Sequence, residues 1–387
     1  MLCFPCAAIA GQSERVLTLE ESITTGLHNS QELLGLKEQV SIAREMVKEA
    51  KGQIFPKIDF NLSMSRFDNV YPTVLAPSFN SMYLPAAQMN SFYSTRLSLW
   101  QYLYASGRYS TNLRLAETNL SQARAQADAT QNMVILDVKN AFYACVITGE
   151  KIRAYESAIS AMKTSGGNRW AYALSSMNLD LLKLKHDYEK QRLKFLRAVG
   201  LELNTVVELK GSLTAPTDEY ELNKCLAWAS TFRPELRQTQ FQETIDSLKV
   251  NLSLAERYPT ITLGANYERL GQDLPLDNTN WNATININLP IFDGWASWSR
   301  IRQRKHQARE GKIRRAKYED DVHNDVMEAL MDYNFWKERV DLMKNDKKQD
   351  TEPDKKLESE LLMLETLQQA LSSQAALEWA IGKAFFK

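Results

Sequence analysis

The sequence is bounded first by what it lacks. Lys and Arg (47) balance Asp and Glu (47), so there is no global basic excess of the kind that marks a nucleic-acid binder. No apolar run reaches the roughly 18 residues that a transmembrane helix needs. That absence leaves the membrane open, because β-strands cross it with about 9–11 alternating residues and give only a weak signal. The four cysteines, Cys3, Cys6, Cys145 and Cys225, form no Cys/His cluster with zinc-like spacing. Cys145 and Cys225 lie inside helical patterns, where a small buried apolar residue is the ordinary role. His28, His186, His306 and His323 are scattered, with no His-Glu-x-x-His, no Gly-x-Ser-x-Gly and no P-loop. No enzyme, cofactor or metal site is expected. Proline (11) and glycine (15) are few and clustered, so long uninterrupted elements are expected.

What the chain does have is a change of hydrophobic period, made twice. Phe55-Pro56 and Tyr258-Pro259 each end a long helical pattern. After each proline, apolar and polar residues alternate. Ile58, Phe60, Leu62 and Met64 face away from Lys57, Asp59, Asn61 and Ser63; Ile261, Leu263, Ala265 and Tyr267 face away from Thr260, Thr262, Gly264 and Asn266. Each proline is read as the point where a helix becomes a membrane-spanning β-strand.

In chain order, Met1 to Ala10 is uncharged and apolar and ends Ala8-Ile9-Ala10, which reads as a curtailed secretory signal over 1–10; Cys6 is a weak candidate for lipidation. A first repeat is expected over 11–210: a helix from Leu17 to Gln53 opened by a Thr18/Glu21 capping box, strands 57–68 and 92–104, and helices 106–163 and 171–200. Asn69 to Asn90 and Leu201 to Thr217 read as connecting segments. A second repeat is expected over 218–387: a helix interrupted at Arg233-Pro234, strands 259–270 and 281–292, and helices 296–343 and 355–382. The first long helix carries a coiled-coil seam from Leu113 through Thr130, Val138, Cys145 and Ile159 to Met162, and at about 1.5 Å per residue spans on the order of 85 Å.

The expected fold is therefore mainly α with membrane β: long helical hairpins plus four strands per chain. The polar strand face, Lys57, Asp59, Asn61, Arg96, Asn282, Thr284, Asn286 and Asn288, suits a wet barrel lumen, since four Asn and Thr side chains on one face are costly in a dry core. Four strands cannot enclose a watery lumen, and open edges are not tolerated in lipid. Other copies must complete the sheet; three copies would supply twelve strands. The turns Gly166, Gly167, Asn168 and Asp346 to Asp350 fall at the far ends of the helical hairpins, where a gate or a partner is expected.

These features resemble the TolC-like outer-membrane efflux and secretion channels over about Leu17 to Gly382. The resemblance rests on the duplicated helix–aromatic-Pro–strand pattern and on the joints Leu103-Tyr104-Ala105-Ser106-Gly107-Arg108 and Leu289-Pro290-Ile291-Phe292-Asp293-Gly294. It also rests on the repeat endings Arg197-Ala198-Val199-Gly200 and Trp379-Ala380-Ile381-Gly382. It implies a homotrimer with a 12-stranded barrel in the outer membrane of a Gram-negative bacterium and an α-helical periplasmic tunnel. A periplasmic adaptor (membrane fusion) protein, an inner-membrane pump and outer-membrane lipid are the implied partners, with no nucleic acid. The alternative is a soluble periplasmic coiled-coil scaffold whose strands form a small sandwich. Asp346 and Asp350 read either as an acidic ring at a tunnel mouth or as a solvated turn. The basic stretch from Arg302 to Lys317 reads as a solvated helix face.

Overall fold

A computed structural model describes residues 15–66, 91–164, 171–211, 213–271, 274–345 and 353–383. The expected signal segment with Cys3 and Cys6, the last two residues of the expected first strand (67–68) and all of the first connecting segment (69–90) lie outside them. The chain divides into two compact units. One comprises 1–42, 121–242 and 312–387; the other comprises 43–120 and 243–311. Each unit draws on both sequence repeats.

The first unit is mainly helical. It opens with β1 (Arg15–Leu17) and α1 (Leu19–Asn29). The capping box forms: the Glu21 N–H donates to Thr18 Oγ1 at 3.3 Å, and the Thr18 N–H donates to Glu21 Oε2 at 2.9 Å. The expected single helix from Leu17 to Gln53 is broken at Ser30, and α2 runs Gln31–Gly52. Ser30 serves both ends of the break. Its N–H donates to the Gly26 carbonyl, and its hydroxyl accepts from the Leu33 N–H. The connector after the first repeat is not all loop. Val207–Leu209 form β4, which pairs in parallel with β1, so the described residues hold six strands rather than four.

The long helix α3 (Arg108–Thr164) packs on more than one face. Towards α4 (Ala171–Val199), Val138 and Phe142 join Phe195, Leu196 and Val199 in one core, and Met162 meets Met177 in another. Towards α8 (Pro353–Ala380), Ile147 packs on Leu367 and Leu371, and Lys139 and Lys151 pair with Glu378 and Glu365. The expected seam is thus only part of the buried surface. Thr130, Val138, Cys145, Ile159 and Met162 are buried, but so are Ile135, Phe142 and Ile147 on other rows. A helix with two neighbours needs two stripes.

The second-repeat helices of this unit are α5 (Leu222–Phe232), then α6 (Pro234–Ala255) and α7 (Ala296–Asn345), which carry residues of both units. Cys225, Ala229, Val326, Tyr333 and Leu377 form their core. At the Arg233-Pro234 break, the buried Arg233 guanidinium donates to Asp325 at 2.7 Å and lies 4.5 Å from the Trp379 ring centre. The two repeat endings have a shared physical role. Gly200 (φ 70°) and Gly382 (φ 72°) close α4 and α8 in left-handed turns. A Cβ on Gly200 would lie 2.8 Å from Asn29 Cβ at the end of α1, and one on Gly382 would lie 2.8 Å from the Phe232 backbone at the end of α5.

The second unit holds an antiparallel sheet ordered β2–β3–β5–β6: Lys57–Arg66, Ser91–Tyr104, Thr260–Gly271 and Asn278–Asn288. The last strand was expected over 281–292; it begins earlier and stops at Asn288, because Leu289 to Phe292 have no neighbouring strand among the described residues.

Two glycine substitutions separate tight from open backbone. Gly200→Ala combines a left-handed φ with a clash at Asn29 and should cost at least about 1–2 kcal/mol. Gly35→Ala, inside α2 with nothing within 4 Å, should stabilise by about 0.5–1 kcal/mol. Urea titration of the two variants beside the parent checks both signs.

Candidate functional site

The site is one face of the four-stranded sheet. In an antiparallel pair, residues directly opposite one another project to the same side, and neighbours along the strand project to the other. The register places Asp59 opposite Ser98, Ser98 opposite Asn266, and Asn266 opposite Asn282. A second row runs Asn61, Arg96, Glu268, Asn280, and a third runs Lys57, Trp100, Gly264, Thr284. Asn286 and Asn288 stand opposite Thr262 and Thr260 on the same side. All eight residues assigned to this face from sequence therefore share it. Within it, the Asn266 carboxamide donates to Asn282 Oδ1 at 2.9 Å.

Alternation alone had not singled out Glu268, although it continues the step of two from Asn266. Arg96 donates to Glu268 Oε1 from Nη2 at 2.7 Å and from Nε at 3.1 Å. The pair is only partly solvated, so its charge-assisted bonds are worth more than those of a surface pair. Trp100 also faces the polar side, where its ring meets Tyr102 edge-on at 4.3 Å, and Tyr102 meets Tyr109 at 5.6 Å. This end of the sheet is an aromatic cluster beside Lys57.

The opposite face is largely apolar and uncovered, with Gln101 and the row Thr95, Arg269, Thr279 as its polar exceptions. Ile58, Leu99, Ala265 and Ala283 form one row, and Phe60, Leu97, Tyr267 and Trp281 the next. Phe60 is 70% exposed and Ile287 66%. A contiguous apolar face left open in this way marks contact with lipid or with another chain. No helix among the described residues is long and apolar enough to cross a membrane, so a membrane role rests on the strands.

The expected tip residues Gly166, Gly167, Asn168, Asp346 and Asp350 lie outside the described residues. Among the described residues, no group of three His, Cys, Asp or Glu side chains could hold a metal ion. Cys145 is buried, and burial pushes its thiol up to about 11; Cys225 is raised by the same cause. Both are inert apolar packing residues.

Residues 229–352 match the family described as outer membrane efflux protein. No curated protein matches the chain. Among solved structures, the outer membrane protein VceC of Vibrio cholerae is 14% identical with a TM-score of 0.75, over 94% of this chain and 96% of that one. The MtrE outer membrane channel of Neisseria gonorrhoeae is 15% identical with a TM-score of 0.73, over 95% and 89%. A membrane protein of Pseudomonas aeruginosa is 12% identical with a TM-score of 0.77, over 99% of each chain. The chain thus has the fold of outer-membrane channels over nearly its whole length, and resembles the efflux family in sequence within its second repeat.

The Arg96–Glu268 pair lends itself to a double-mutant cycle. Arg96→Gln and Glu268→Gln should each destabilise the protein more than half as much as the double variant, with a coupling of about 0.5–3 kcal/mol. Thermal unfolding of the three variants and the parent measures it.

Proposed function

We propose that this chain is the outer-membrane exit duct of a tripartite export system, a passive conduit rather than a catalyst. One observation carries the reading. Most of both faces of the four-stranded sheet is uncovered: one is largely apolar and exposed, the other lined mainly with Asn, Thr, Ser and a charge-paired Arg96–Glu268, with only Ser94 and Leu270 buried at one end. Lipid on the apolar side and water on the polar side give both faces a solvent they tolerate. A soluble scaffold would hold Phe60, Trp281 and Ile287 against water. The fold match to outer-membrane channels and the family match over 229–352 support the same reading.

In this reading three copies close the strands into a 12-stranded barrel, and the paired long helices of the two repeats form the periplasmic duct. Lys57, Asp59, Asn61, Arg96, Asn282, Thr284, Asn286 and Asn288 line the lumen. The turns at Gly166 to Asn168 and Asp346 to Asp350 meet the adaptor and, through it, the inner-membrane pump. Fractionation of the cell envelope tests this: the protein should travel with the outer membrane and run as a heat-sensitive trimer, and recovery as a soluble monomer would overturn it.

The face assignment has its own test. Ile287→Arg places a charge towards lipid and should cost about 2–4 kcal/mol near mid-membrane. Asn286→Arg should leave stability nearly unchanged and alter single-channel conductance in a planar bilayer. Equal destabilisation by the two would refute the assignment of faces.

A further inference from the structure

The joint between helices and strands is built twice, with fixed spacings. Pro56 and Lys57 recur as Pro259 and Thr260, and Ser106-Gly107 recur as Gly294-Trp295, the left-handed pair before α3 and α7. Each joint carries a cavity, of about 320 Å³ in the first repeat and about 400 Å³ in the second. The two are lined differently. In the second, Arg300 pairs with Glu256 at 3.0 Å and lies 3.8 Å from Asp293, and Arg257 stacks on the Trp298 ring at 3.9 Å. Those charged groups are engaged with one another or with a ring. In the first, the lining holds two cations, Lys57 and Arg108, and no carboxylate. Lys57 makes no ion pair among the described residues, and the Arg108 Nε is buried without an acceptor among them. The Arg108 Nη2 reaches the Ala255 carbonyl at 3.5 Å, the outer limit of a hydrogen bond. A buried donor left in this state is costly, so the cavity favours an acceptor.

Phe55, Trp100, Tyr102 and Tyr109 complete the lining of the first cavity. The last three are chained edge to face. They are peculiar to repeat one. The positions that correspond to Trp100, Tyr102 and Tyr109 are Asn288, Pro290 and Ser297, and those that correspond to Lys57 and Arg108 are Thr260 and Ala296. Of the rings, the one before the proline alone is kept, as Tyr258. Repeat two makes the same left-handed backbone joint without these residues, so the folding of the joint does not account for either the rings or the charges.

We propose that the first-repeat cavity is a binding site for a planar aromatic monocarboxylate in passage through the duct. The class of ligand follows from the lining. Several rings at one site favour a flat π-system. An aromatic cage without charge would take a cation; Lys57 and Arg108 exclude one and offer a carboxylate two charged donors. The volume lies near the small end of ligand sites, with room for one or two fused rings. The proposal rests on the reading of the protein as an export duct. Lys57, Trp100 and Tyr102 lie on the polar face of the sheet, so in that reading the site opens to the lumen. Placed where helix gives way to strand, it would select cargo ahead of the polar wall.

The probe is 2-naphthoate. Equilibrium dialysis against the purified full chain in detergent, with protein-free detergent as background, should show saturable uptake of one molecule per chain. Cyclohexanecarboxylate, which lacks the flat ring, and 2-naphthylmethylammonium, which reverses the charge, should bind at least tenfold more weakly. Arg108→Gln should weaken 2-naphthoate binding about tenfold and Trp100→Ala about fivefold. Lys57→Met, at an exposed position, should weaken it as well and carries the charge test should Arg108→Gln fail to assemble. Arg257→Gln and Trp298→Ala, which take a cation and a ring from the other joint, should leave binding within twofold of the parent. Uptake that does not saturate, equal losses at the two joints, or tighter binding of the ammonium would overturn the site. A protein that conducts in a planar bilayer but takes up no 2-naphthoate would overturn this proposal and leave the duct reading intact. A soluble monomer that does not conduct would overturn the duct reading and the cargo role with it.

Discussion

Backbone hydrogen bonding at the sheet edges is the constraint on which the rest of this molecule turns. Inside the sheet, β3 and β5 have both edges paired. The strands β2 and β6 have one each, over ten and eleven residues. In water such an edge is a hazard; in hydrocarbon each unpaired N–H or C=O costs several kcal/mol, and open edges do not occur. The alternation of Ile and Asn along β6 points the same way, since an apolar side chain every second residue recommends lipid for a strand whose backbone lipid rejects. In the proposed barrel, closure by further strands would reconcile side chains with backbone.

The helical unit answers a different demand by ordinary means. Its cores are conventional: Phe142 against Phe195 in one, Tyr333 with Val326 and Leu377 in another. The two repeats solve the same local problems with different residues. The end of α1 lies against Gly200 and the end of α5 against Gly382, and in both places a side chain on the glycine would collide. At the strand-to-helix joint the need is for two successive left-handed residues. Repeat one supplies Ser106-Gly107 and repeat two Gly294-Trp295. A tryptophan at φ 68° carries strain on the order of 1–3 kcal/mol. Its ring lies edge-on to Phe292 at 6.1 Å, and the carboxylate of Asp293 accepts the Ser297 N–H, so the joint is held from both sides.

How much of this was legible in sequence follows from the range of each interaction. The capping box at Thr18, the left-handed glycines and the alternating strand faces are local, and local pattern states them directly. The polar face could therefore be assigned residue by residue before any register was known. The pairing of β1 with β4 could not, because two three-residue strands some 190 positions apart leave no period. Ser30 looks like a tolerated helix residue until its double capping is seen. The second stripe on α3 is hidden because a coiled-coil seam explains most of its apolar residues already. The alignment of the joints is not legible locally either: glycine invites pairing of Gly107 with Gly294, but the backbone pairs Gly107 with Trp295.

The chemistry of the polar face adds a last step. Its charges are few and arranged to cancel. Arg96 and Glu268 share one row with two carboxamide residues, Asn61 and Asn280, and their guanidinium and carboxylate are 2.7 Å apart. Lys57 and Asp59 alternate on one strand. Apart from Gly264, the aromatic end at Trp100 and Tyr102, and Phe92 and Leu270 at the other end, the rest is Asn, Thr and Ser, whose side chains both donate and accept, so they hold water without creating a field. In the proposed barrel such a wall would wet the lumen while presenting little net potential to a passing solute. Unlike a porin ring of single-sign charge, it would not sort cargo by charge; sorting would have to occur where the cargo is loaded, upstream of the strands.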